Sequence, residues 1–382
     1  MLRNQTWKHF DFWLFGAVVI LSVFGVAMIR SAIAGNLVLA ELVTRQMIYI
    51  GISFVIILML TLIDYHYWSS LARLMYWFAV LSLVVIYVYG TARYGAARWL
   101  DTGLILIQPS ELAKIIMIIV LADFFARAKD RPRNIRWIGE SLLLTLGVVI
   151  WILLQPNLST SIVIMVIWFS MLWISGLPMK YVIIFVLVAL LVTGLILGLL
   201  LSGSQNPLVG GENSIIQDYQ LARVMNFIFP DPNARHGNSY NVEQALVTIG
   251  SGGLFGQGYG HSTQVQLRFL KVRHTDFIFS AMASEFGFVG TMIVIAGLMF
   301  VVARCFRASA LAADTFGGLI AFGFGVLLFF QMTVNIGVNL NVIPVTGLTL
   351  PFISYGGSSM VSLAFGIGLV ESVILRRKPL EF

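Results

Sequence analysis

The chain reads as an all-α polytopic membrane protein of about ten transmembrane helices, with both termini cytoplasmic and one large extracytoplasmic loop between spans seven and eight. Three observations predict this. The 382 residues are 59% hydrophobic and 11% charged, with a mean hydropathy of +0.91, where a soluble domain carries roughly 25% charge. Apolar runs near the ~20 residues needed to span a bilayer recur at 12–33, 46–63, 71–90, 109–126, 138–155, 158–175, 181–202, 277–303, 316–335 and 358–375. The Lys and Arg residues alternate between connections. Arg3 and Lys8, Arg73, the 127–136 basic turn, Lys180, Arg304 and Arg307, and Arg376 to Lys378 all fall on one side. The short connections opposite hold only Arg45, Arg93 and Arg98. The positive-inside rule makes the first side cytoplasmic. Residues 1–382 form a single membrane domain, and 203–275 is the large outer loop within it.

Several classes are excluded at once. The net charge of +7 sits between apolar spans, which suits a membrane surface rather than a nucleic acid. A single cysteine, Cys305, permits no internal disulfide framework. Residues 1–9 are short and basic, and the run after them is long enough to stay as a first span. No His/Cys cluster has metal-ligand spacing. No internal repeat is evident, which weakens an inverted-repeat transporter.

The outer loop has its own order. Gly203–Asn213 is polar and glycine-rich, Asp218–Phe227 has helical spacing, Pro230-Asp-Pro232 reads as a turn, and Gln244–Ile249 as a short helix. Gly250–Gly260 is a glycine-dense turn. It suits either a tightly packed re-entrant loop or a backbone that approaches a ligand. The stretch Phe269–Ser280 closes the loop with one carboxylate, Asp276, behind three cations, Arg268, Lys271 and Arg273. As an N-cap, Asp276 would start span eight; as a free acid fronted by cations, it suits chemistry on an anionic lipid headgroup.

Charges inside spans are costly and need a partner or a task. Gln108-Pro-Ser-Glu111-Leu-Ala-Lys114 starts span four, with proline in the first turn. Glu111 and Lys114 share a face three residues apart. The pair either fixes helix packing or holds a cation for a phosphate. Arg98, beside Trp99, and Arg223, on the loop helix, read either as interfacial anchors or as diphosphate ligands with a planar guanidinium fork. Glu285 is deep in span eight and reads as structural, paired or protonated; Asp123 and Arg127 read as a local i,i+4 pair; Glu371 faces a basic terminus; His274 is a loop residue. In the last outer segment, prolines and glycines across 344–357 break any helix. Non-helical backbone at membrane depth needs protein or a polar cavity around it. Asn335, Asn339, Ser354, Tyr355, Ser358 and Ser359 can bond sugar hydroxyls or the freed backbone groups.

Four stretches, Gln108–Lys114, Ile249–Gly253, His274–Phe279 and Pro344–Ser359, resemble in order the SEDS family of bacterial cell-wall proteins, the RodA branch more than FtsW. The resemblance implies a ten-span glycosyltransferase that polymerises lipid II outside the plasma membrane, with a class B penicillin-binding protein as the transpeptidase partner. It puts the family's essential loop acid on Asp276 and its helix-four acid and lysine on Glu111 and Lys114. It also implies dependence on a divalent cation, Mg2+ or Mn2+. The sequence departs from the family at Asn157, where an aspartate is frequent, and at Lys271-Val272, where Pro-Glu is frequent. The expected mechanism has Asp276 as base and Lys114, Arg98 and Arg223 as diphosphate ligands, with Glu111 orienting Lys114 and Ser358 among the substrate-facing hydroxyls. The nearby cations would keep Asp276 ionised. A lipid II flippase and a non-catalytic scaffold for the penicillin-binding protein are the alternative readings.

Overall fold

The computed structural model describes residues 9–36, 39–89, 91–93, 96–101, 106–201, 223, 225, 227–229 and 238–377. A long helix stands at each predicted apolar run: α1 (Phe12–Ala32), α2 (Glu41–Leu62), α3 (His66–Tyr89), α4 (Pro109–Arg127), α5 (Ile135–Leu154), α6 (Leu158–Ile174) and α7 (Met179–Leu201). After the short helices α8 (Asn238–Ser251) and α9 (Thr263–Gln266) come α10 (Ile278–Leu311), α11 (Thr315–Asn339) and α12 (Gly357–Leu375). Seven of these, α1 to α3, α5 and α10 to α12, are long and apolar enough to cross a membrane. The other three differ for local reasons. Helix α4 carries Glu111, Lys114, Asp123 and Arg127, α6 has 17 residues, and the apolar stretch described in α7 is Met179–Val188.

Helices α4 and α12 form the centre. Both bury most of their residues, whereas α2 and α3 turn most of theirs outward, as lipid-facing helices do. Helix α12 lies against α2 at small residues: a Cβ on Gly368 would lie 2.7 Å from the Leu60 Cβ, so the two backbones approach closely. The two ends of the bundle differ in character. At one end Arg377 meets His9 at 3.2 Å, the Arg304 Nε donates to Asp11 at 2.7 Å, and the Asp11 N–H donates to Glu371 at 3.0 Å. Both described ends of the chain are therefore together, as predicted, and Glu371 meets them. The Asp123–Arg127 pair is also present, at 2.8 Å.

Two features were not expected. A three-stranded antiparallel sheet, β1 (Thr91–Arg93), β2 (Ala96–Asp101) and β3 (Leu106–Ile107), precedes α4 in the order β1-β2-β3; only its backbone is described. Its strands are short and lack polar/apolar alternation, so the helical pattern masked them. Helix α10 is broken at Gly287, where φ is 65° and ψ −167°. The glycine-dense turn fills the break. The amides of Gln257 and Gly258 donate to the carbonyls of Ser284 and Glu285 at 3.0 Å each, and Phe288 and Val289 donate to Gly253 and Leu254 at 2.9 and 3.0 Å. Four of the groups released by the kink thus find partners in protein. The packed re-entrant reading of Gly250–Gly260 holds, and Glu285, buried beside the break, accepts from the Ser31 hydroxyl.

A Cβ on Gly287 would lie 2.3 Å from the Gly256 nitrogen. Gly287→Ala is therefore expected to destabilise the protein by on the order of 1–3 kcal/mol or more. Gly51→Ala, on α2 with nothing within 4 Å, is expected to be neutral or slightly stabilising. Thermal unfolding of both variants in one detergent checks this.

Candidate active site

Asp276 lies in the turn before α10, at the end of the bundle opposite the chain termini. It does not cap the helix. The N-cap is Phe277, which makes no side-chain cap bond. The capping is done from α11: the Asn339 Oδ1 accepts from the Ser280 N–H at 3.1 Å and from its hydroxyl at 2.6 Å. An N-terminal turn needs an acceptor for the N–H of its third residue, and Asn339 supplies it, which leaves the Asp276 carboxylate uncommitted to the helix.

The main chain of Asp276 is held tightly. Its carbonyl accepts from the Asn339 and Asn335 amides at 2.9 and 3.2 Å. The preceding carbonyl, of Thr275, accepts from the Ser354 hydroxyl at 2.8 Å, and that of His274 accepts from the Tyr355 N–H at 2.9 Å. Val272, a β-branched residue at φ 51°, stores on the order of 1–3 kcal/mol of backbone strain in the same turn. The Asp276 loop and the 340–356 segment are thus stitched together. At the start of α12 the Ser358 hydroxyl accepts from the Gln108 N–H at 3.0 Å, and the Ser359 hydroxyl meets that of Thr349 at 3.0 Å.

The carboxylate itself is half-buried at its surface and enclosed by protein on most sides. A Cβ on Gly347 would be 3.8 Å from its Oδ2. Burial pushes its pKa up to about 6; the charge of Arg223 and a hydrogen bond from Thr275 oppose this without overcoming it. Arg223 also donates to the Thr346 carbonyl at 3.3 Å. That carbonyl accepts from the Ser159 hydroxyl at 2.6 Å, at the start of α6.

Here two expectations require correction. Arg268, Lys271 and Arg273 do not front Asp276. Arg273 donates to the Ala32 carbonyl and Arg268 to the Gly35 carbonyl, just past the end of α1, while Lys271 lies 5.8 Å from the centre of the Tyr240 ring. The end of a helix presents carbonyls without partners and a negative dipole, and these attract the arginines away from the acid. Nor do cations govern the ionisation of Asp276, because desolvation outweighs the one charge that acts on it.

Glu111 and Lys114 form the predicted pair at 2.8 Å, with the lysine only 1% exposed. The second oxygen of Glu111 is buried without a partner, and the single bond to Glu111 uses one of three ammonium donors. The pair connects to Asp276 indirectly. Asn157, which caps α6, donates to Ser110 at 3.4 Å, and Ser159, two residues on, reaches Thr346 beside Arg223. Arg98 belongs to β2; its side chain lies outside the described residues. Of the loop helix Asp218–Phe227, only 223, 225 and 227 are described, all helical; Gly203–Asn213 and Pro230–Pro232 lie outside the described residues. Sequence reasoning missed Ser159 and Thr346, whose contact spans 187 positions and leaves no local signal.

A bundle of apolar helices with a clamped acid, an adjacent arginine and a buried Glu–Lys pair at one end defines a polytopic membrane protein with a polar site at one surface. Residues 6–378 match the family model FtsW/RodA/SpoVE, described as cell cycle protein, and the chain belongs to that family. It is 34% identical over 374 residues to the peptidoglycan glycosyltransferase MrdB of Escherichia coli K12, covering 98% of this chain and 95% of the relative. It is 33% identical to the probable peptidoglycan glycosyltransferase FtsW of Hydrogenovibrio crunogenus, covering 98% and 94%. Among solved structures it resembles a chain from a study of the structural coordination of polymerization and crosslinking by a peptidoglycan synthase complex, with TM-score 0.79, 30% identity and coverage of 96% and 98%. The rod shape determining protein RodA of Thermus thermophilus is also similar, with TM-score 0.69, 30% identity and coverage of 98% and 99%. A structure of that protein with an aspartate changed to alanine matches at TM-score 0.70.

Removing one partner of a buried ion pair leaves an uncompensated charge. Lys114→Met is expected to destabilise by about 3–5 kcal/mol, and Lys114→Met with Glu111→Gln by much less. Unfolding midpoints of the two single variants and the double variant measure the coupling.

Proposed function

We propose that this protein is a peptidoglycan glycosyltransferase that polymerises lipid II into glycan strands during cell elongation, working with a class B penicillin-binding protein. The observation that carries the reading is the Asp276 carboxylate: it is spared from helix capping, fixed through its own carbonyl, and has Arg223 beside it. The family membership and the likeness to named peptidoglycan glycosyltransferases supply the reaction class. We assign the site to the extracytoplasmic side, because it lies at the end away from the termini and from most of the arginines. Ten spans with a large outer loop between α7 and α10 follow from the same alternation.

In the proposed reaction a sugar 4-hydroxyl oxygen attacks the anomeric carbon of a second lipid II from the face opposite its diphosphate. The new carbon–oxygen bond forms as the bond to diphosphate breaks, and the diphosphate departs with the electron pair. The hydroxyl proton passes to the Asp276 carboxylate. A pKa near 6 suits this role, since a general base works best when its pKa lies near the working pH while it remains mostly ionised. Arg223 and Arg98 would bind the departing diphosphate. Lys114, held by Glu111, would add positive charge from beneath, and the Ser358 hydroxyl would contribute to the sugar-facing wall. Among the described residues no group of three His, Cys, Asp or Glu could hold an ion. A Mg2+ or Mn2+ ion bound to the diphosphate would supply neutralisation of charge on the leaving group.

Asp276→Asn is expected to abolish polymerisation of purified lipid II while leaving the protein folded. Its stability should rise or stay level. A carboxylate with a raised folded-state pKa contributes most below its unfolded pKa near 4, and that contribution is lost as pH rises through about 6. At pH 7.5 the ionised form therefore carries a burial cost that asparagine lacks. Gel analysis of glycan strands beside melting curves separates the two effects; retained polymerisation would remove Asp276 from the mechanism. Headgroup transfer between leaflets without polymer would favour a flippase instead.

The rate for the unaltered protein should fall about tenfold per pH unit below about 6. Arg223→Gln removes a charge that lowers the Asp276 pKa, so this limb should move to higher pH. A pH–rate profile for both proteins provides the check.

A further inference from the structure

A cavity of about 690 Å3 opens at the end of the bundle that bears the chain termini, between α3, α4 and α5. It lies across the bundle from Asp276 and takes no part in the proposed reaction. Its inner wall is apolar, with Val120, Phe124 and Leu144, and its rim carries Arg73, Arg127 and Arg131. From Val120 to Arg127 it follows about two turns of α4, or roughly 10 Å. Trp77 forms its side and is 62% exposed toward the lipid-facing surface of α3.

The charges on the rim do not cancel. Asp123 is the one carboxylate lining the cavity, and it is occupied by Arg127 at 2.8 Å and by the Ser69 hydroxyl at 2.5 Å. Arg131 reaches Glu140, outside the cavity, at 3.4 Å through one nitrogen. The Arg73 side chain makes no hydrogen bond or ion pair among the described residues. Asp123 offsets Arg127 and Glu140 engages one nitrogen of Arg131, which leaves the Arg73 guanidinium and the remaining Arg131 donors facing the cavity. A site for a small soluble anion would need only the rim. The apolar wall and the exposed tryptophan continue the same space into the membrane, as an amphiphile requires.

We propose that this cavity binds the headgroup of an anionic phospholipid from the leaflet at the arginine-rich end. Arg73 and Arg131 are its phosphate ligands, through the fork geometry that suits phosphate oxygens, and an acyl chain lies along Trp77. The amphiphilic wall separates this site from a plain positive-inside charge excess, which would need no cavity.

Full-length protein in a zwitterionic detergent is titrated with phosphatidylglycerol or phosphatidylcholine carrying brominated acyl chains, and tryptophan fluorescence is read. Brominated phosphatidylglycerol should quench at a lipid fraction about tenfold below that of brominated phosphatidylcholine. The difference should vanish in Trp77→Phe, which identifies the reporter among nine tryptophans. Arg73→Gln should raise the midpoint about fivefold, and Arg73→Gln with Arg131→Gln about 25-fold. Arg73 has no protein partner to lose, so its variant keeps the melting temperature of the unaltered protein; the comparison between lipids needs no variant at all. Excess glycerol phosphate should not reverse the quenching. Equal quenching by the two lipids, an unchanged midpoint in Arg73→Gln, or displacement by glycerol phosphate, which would indicate a soluble-anion site, overturns the proposal.

Discussion

Wherever the backbone leaves helical form at membrane depth, every freed N–H and C=O must find a partner within the protein. The site end of this molecule is built around that demand. The break at Gly287 is closed by the turn at 252–258, the carbonyls before α10 are taken up by Asn335, Asn339 and Ser354, and the Thr346 carbonyl by Ser159 and Arg223. The side chains that satisfy these groups come from α6, the loop after α7, α11 and the segment between α11 and α12. One requirement therefore draws distant parts of the chain together around Asp276.

The same requirement decides which groups are left over. Asn339 caps α10, so Asp276 need not. The carbonyls at and just past the C-terminal end of α1 capture Arg273 and Arg268, so those cations are withdrawn from the acid. What remains is a carboxylate whose proton affinity is raised by enclosure and moderated by Arg223. Its chemistry is set by which neighbours have already been claimed by the backbone.

Much of this architecture was legible in the sequence. The ten apolar runs marked ten helices, proline at 109 marked the start of α4, and the alternation of Lys and Arg put both ends of the chain together. The spacing of Glu111 and Lys114 foretold their contact. Other features left no local trace. Gly287 lies in an apolar run that otherwise continues as helix, and its only signal was a second glycine-rich stretch about 30 residues earlier, whose role is to approach that break. Arg268, Lys271 and Arg273 adjoin Asp276 in sequence, and proximity along the chain misled because the turn at Val272 directs them elsewhere. The Ser159–Thr346 bond depends on tertiary packing alone.

An acid anchored through its own carbonyl has little freedom to swing toward one sugar and then the next. If Asp276 abstracts the proton in every cycle, the growing strand must be the moving part. Each added unit would have to slide past a stationary post before another can react, so progress along the polymer would be set by how easily the product shifts rather than by how far the protein can reach.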